Sequence, residues 1–76
     1  MVRVELRLGQ YQYYHTKRTF ELHENILSWL DTTKIVYTHE SKVDEFDVNE
    51  FSISSWLEFS RKEDAILFRL RWYNVN

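Results

Sequence analysis

The sequence predicts an α+β domain: a two-layer sandwich with two helices on one face of a mainly antiparallel sheet, in the order strand-helix-strand-strand-helix. Three observations predict it. Period-two alternation runs through Val2, Val4, Leu6 and Leu8, and again through Phe51, Ile53, Ser55, Leu57 and Phe59. Residues 19–31 divide into a polar and a broad apolar side on a helical wheel. Ser60, with Glu63 three positions later, is a helix-start signal ahead of an apolar run.

The first strand covers residues 2–8, where Arg3, Glu5 and Arg7 fill the outward positions, and Gly9 marks its end. Residues 10–18 allow a short extended continuation, since Tyr11 and Tyr13 alternate with Gln12 and Tyr14. The helix predicted over 19–31 sets Glu21, Glu24, Asn25, Ser28 and Asp31 on one side. Phe20, Leu22, His23, Ile26, Leu27, Trp29 and Leu30 fall on the other, with Thr16 and Thr19 as capping candidates. Thr32 and Thr33, poorer helix formers, end it. Residues 34–39 are rich in β-branched and aromatic side chains and read as a strand. Residues 40–50 form either a loop anchored by Val43, Phe46 and Val48 or an edge strand.

The ending has two readings. In the preferred one, Ser60 and Glu63 make a capping box, Asp64 adds charge to the first turn, and a helix follows to about residue 71. Ala65, Phe68 and Trp72 then share a stripe. In the alternative, Ile66, Phe68, Leu70 and Trp72 alternate as a strand, with residues 61–64 turning a hairpin. The preferred order resembles a ferredoxin-like unit lacking its last strand.

A chain of 76 residues makes one small domain with a thin stability margin. It has no cysteine, so neither disulfides nor thiolate metal sites supplement the core. Aromatic packing is the expected supplement, because rings make up 17% of the residues. A homodimer is the other. No stretch approaches the roughly 18 apolar residues of a membrane span, and the N-terminus lacks a signal peptide's apolar core. The expected location is therefore the cytoplasm, with no membrane partner.

Enzymatic chemistry is not expected. His15, His23 and His39 form no close-spaced ligand pair, so no metal is assigned. The serines lack a nucleophile elbow, and a single glycine cannot build a phosphate cradle, so no cofactor is assigned. Two binding readings remain. Tyr11, Tyr13, Tyr14 and the acidic stretch with Asp44, Glu45, Phe46, Asp47 and Phe51 are candidate protein-binding residues: aromatic anchors within a charged rim. Lys17, Arg18, Arg69 and Arg71, beside tyrosines and Trp72, are the candidate contacts of a single-stranded nucleic-acid-binding module, the alternative.

The run from Phe59 through Asp64, Ala65, Phe68, Arg69, Leu70, Arg71 and Trp72 resembles the ending of small accessory proteins of T-even-like tailed phages. There, a strand ending in Phe leads through a polar turn to Asp-Ala and then Phe-Lys/Arg-Leu-Arg-Trp. This chain departs from the pattern by continuing Tyr73-Asn74-Val75-Asn76 where a glycine is common. The resemblance implies a strand-to-helix connection and no active site. It also implies a non-enzymatic phage product that binds a host protein in the bacterial cytoplasm.

Overall fold

The computed structural model describes residues 1–47 and 50–73. It is an α+β structure with five strands in two antiparallel sheets and two helices. Strands β1 (Val2–Glu5), β2 (Tyr11–Tyr14) and β3 (Thr19–Leu22) precede helix α1 (Glu24–Thr33). Strands β4 (Tyr37–Asp47) and β5 (Glu50–Phe59) follow, and helix α2 (Lys62–Trp72) ends the described chain. The three-stranded sheet has the order β1-β5-β4, and β2 pairs with β3 in a separate hairpin.

The expected five-element order misses that hairpin. Residues 19–22 are extended, not helical, and pair with β2 so that Tyr11 faces Leu22 and Tyr13 faces Phe20. Over four residues, Phe20 and Leu22 satisfy a strand and a helix pattern equally well, and the alternating partner strand decides. The helix starts later than expected. Its N-cap is His23, whose Nδ1 accepts from the Asn25 backbone N–H at 3.1 Å, so neither Thr16 nor Thr19 caps it. Lys34 closes α1 in the left-handed conformation, its N–H bonded to the Asp31 carbonyl.

The acidic stretch is strand up to Asp47, not loop; Val48 lies outside the described residues. The last element is the helix and not the alternative strand. Its start differs from the capping box: Arg61 is the N-cap and makes no side-chain cap bond. Glu63 and Asp64 still occupy the first turn, and Arg69 and Arg71 the last, each sign where the helix dipole favours it.

Alternation along β5 builds the core. Leu57 and Phe59 face inward, flanked by Val4 and Val2 on β1 and by His39 and Tyr37 on β4. Against them pack Ile26 and Leu30 of α1 and Ala65 and Phe68 of α2, all at most 2% exposed. Phe68 lies 5.5 Å from Phe59 and 6.1 Å from Trp29, ring centre to ring centre. Burial is uneven along the long β4–β5 hairpin. Ser55, Leu57 and Phe59 are buried, whereas Glu50, Phe51 and Ser52 are exposed. The two strands span about 33 Å, so their turn end reaches past the helical layer.

Candidate functional site

The turn end of the β4–β5 hairpin gathers most of the predicted protein-binding residues. The register shifts between Glu45 and Asp47: Glu45 faces Phe51 and Asp47 faces Glu50, which leaves Phe46 as an extra residue. A bulge of this kind bends a strand and re-aims a side chain. Phe46 is 72% exposed and lies outside the hydrophobic core of the described residues, so its ring gains little from burial within the chain. Phe51, 46% exposed, meets the His15 ring at 5.6 Å and the Tyr13 ring at 6.3 Å. Tyr13 in turn leans on Phe20 at 4.6 Å. Here the β2–β3 hairpin covers the inner face of the long hairpin where the helices do not reach. A cleft of about 210 Å³ opens between them, lined by Tyr13, His15, Arg18, Val43, Glu45, Asp47 and Phe51.

Carboxylates rim this end. Asp44, half-buried, is paired with Lys42 at 3.5 Å, while Glu45, Asp47 and Glu50 are exposed. Rings framed by one sign of charge can give a partner both an anchor and a register.

The three tyrosines named as candidate binding residues are divided by the fold. Tyr11 is buried in the core, and burial raises its phenol pKa, with Glu5 adding to the shift. It belongs to the core because β2 turns its first ring inward against Leu22. Tyr13 faces Phe51. Tyr14, one residue on, occupies the opposite face of β2, where its hydroxyl donates to Gln12 Oε1 at 3.0 Å.

The nucleic-acid candidates fall on two separate elements. Lys17 and Arg18 lie in the β2–β3 turn, and Arg69 and Arg71 in the last turn of α2. Lys17 sits 5.9 Å from the Tyr14 ring, and Arg71 lies over the Trp72 ring at 4.3 Å. Arg18 shares its cleft with Glu45 and Asp47, whose charge opposes a phosphate.

Two polar features fall outside both predicted surfaces. His39 Nε2 lies 2.5 Å from Ser55 Oγ across the strand pair, and Ser41 Oγ lies 3.2 Å from the same hydroxyl. Ser55 is fully buried, so this Ser–His contact ties two strands together and offers no accessible nucleophile. Among the described residues, no three His, Cys, Asp or Glu side chains converge in a way that could hold an ion. Among them, too, no helix is long and apolar enough to cross a membrane.

Sequence reasoning missed the outer face of α2. Ile66, Leu67 and Leu70 are 47%, 51% and 57% exposed. The signal was the near-continuous apolar run, which gives this helix more apolar positions than one buried stripe can use. The His15 contribution to the ring cluster was also missed, because an isolated histidine at an element end carries no pattern.

No protein-family model, curated protein or solved structure matches this chain.

Proposed function

We propose that this protein works by binding another protein, without catalysis, through the turn end of its β4–β5 hairpin. The observation that carries the reading is Phe46: a large ring held in solvent at a bulge, beside the half-exposed Phe51 and within a rim of carboxylates. A partner of matching chemistry presents an apolar pocket bordered by lysine or arginine. The ring supplies most of the affinity, and the carboxylates speed and orient the encounter. The resemblance of the C-terminal run to phage accessory proteins supports a bacterial host protein as that partner.

The test is affinity capture from bacterial lysate with two baits, the native chain and Phe46→Ser. The native chain is expected to retain a specific protein that the variant loses. Capture should weaken as salt rises, because exposed charges are screened within about 10 Å at 0.1 M. Equal capture by both baits would refute this surface.

A further inference from the structure

Strand β1 lies at one margin of its sheet, with β5 on one side and, among the described residues, no strand on the other. The direction of its free groups can be read from two hydrogen bonds. The Leu6 N–H bonds inward to the Ser55 carbonyl, which by alternation directs the backbone groups of Val4 toward β5 and those of Arg3 and Glu5 outward. The Tyr73 hydroxyl donates to the Glu5 carbonyl, confirming that this oxygen points away from β5. Three consecutive residues, Arg3, Val4 and Glu5, line a cleft of about 470 Å³ with Arg69 and Tyr73. Only a strand's margin, not one of its faces, exposes three residues in a row. A second cleft adjoins it, sharing Arg69 and Tyr73 and adding Ile66 and Leu70 of the exposed α2 face.

We infer that this margin is the contact surface for a second copy of the chain, the two β1 strands pairing antiparallel about a twofold axis at Val4. The sequence VRVEL is self-complementary in that register. Arg3 meets Glu5 of the second copy, Glu5 meets its Arg3, and Val2 meets its Leu6. The outward backbone groups of Arg3 and the N–H of Glu5 are ones an antiparallel ladder needs at those pairs. The Glu5 carbonyl, which already accepts from the Tyr73 hydroxyl, takes the second copy's Arg3 N–H on its other lone pair. The two three-stranded sheets become one sheet of six strands, and an exposed strand margin, a standing hazard for a small sheet, is removed. The same axis brings the two α2 helices together beside the strands, covering Ile66 and Leu70. Within one chain, Arg3 pairs with Glu5 at 2.7 Å and stacks on the Trp56 ring at 3.8 Å. The ion pair is more than half exposed on both sides, so exchanging it for the same pair across the axis costs little. The hairpin end stays uncovered, so this inference and the binding reading stand or fall separately.

Sedimentation velocity over a wide concentration range tests it, with circular dichroism to check that each variant is folded. The native chain is expected to sediment as a dimer. Arg3→Glu sets Glu against Glu at both cross-strand pairs and Glu5→Arg sets Arg against Arg; each should weaken self-association roughly tenfold or more. An equimolar mixture of the two variants restores opposite charges at both pairs and should restore dimers that neither forms alone. Leu70→Glu should also weaken the dimer. A native chain that stays monomeric, single variants that dimerise normally, or a mixture of folded variants that stays monomeric would each overturn the inference.

Discussion

The imidazole of His39 and the hydroxyl of Ser55 meet across β4 and β5 on the inner face of the sheet, where almost everything else is hydrocarbon. Ser55 is the one buried polar residue among the described residues, and His39, Ser41 and the Glu40 carbonyl all lie within hydrogen-bond distance of its hydroxyl. The arrangement binds the strands just where the core gives way to the projecting hairpin.

Acid should loosen the fold through His39. Burial lowers its pKa, with Glu40 acting weakly in the opposite direction. As pH falls through about 6.5, the unfolded imidazole takes up a proton before the folded one does. The stabilisation is therefore complete above that value and is lost as pH drops through the lowered native pKa. Urea unfolding near neutral pH and at about pH 5 should show the loss, and His39→Gln should reduce the difference.

Alkali should act through the tyrosines. Burial raises the pKa of Tyr73, with Arg7 and Arg69 opposing the shift and Glu5 adding to it; the Tyr11 pKa is raised as well. The unfolded phenols ionise first, near pH 10. Stability present below that value should fall as pH rises through the higher native pKa values. Absorbance titration should resolve these two phenolates late, and Tyr73→Phe should remove one of them.

Truncating Phe68 should nearly unfold the domain. The ring is fully buried between Phe59, Trp29 and Tyr73, and removing such a side chain costs about 3–5 kcal/mol. A single core in a domain of this size rarely supplies much more than that. Phe68→Ala is expected to lose cooperative thermal unfolding, whereas Leu67→Ala, on the exposed side of the same helix, should keep it.

Gly9 should tolerate size but not chirality. Its φ is +97°, and an added Cβ would have no neighbour within 4 Å. Gly9→Ala should therefore cost about 1–2 kcal/mol in backbone strain. Gly9→Leu should cost nearly the same, because the space beyond is open. Equal midpoint shifts for the two variants in urea are the expected result.

Much of this architecture was legible from the chain. Strand β5 and the first half of the strand expected over 2–8 announced themselves by alternation. However, β1 stops at Glu5 and leaves Leu8, expected on its buried face, 82% exposed in the turn at Gly9. Helix α2 was the preferred of two readings on a Ser60–Glu63 capping box, whereas its N-cap is Arg61. Misreading concentrated where two periods coincide. Phe20 and Leu22 suit a helix or a strand, and only their pairing with Tyr13 and Tyr11 settles the matter. The helix cap was hidden because His23, rather than a serine or threonine, accepts the bond. At the hairpin end, Phe46 and Phe51 could be nominated from composition. Tyr14 is parted from them by the face of β2 it occupies, and Tyr11, on the same face as Tyr13, by its place farther along the strand against Leu22 in the core; a local reading supplies neither.

The most direct measurement pairs urea unfolding with partner capture for Phe46→Ser. If the ring is held out for a partner, stability changes by no more than about 0.5 kcal/mol while the captured protein disappears. A loss of several times that stability would place Phe46 in the core, and unchanged capture would place the binding surface elsewhere; either contradicts the account.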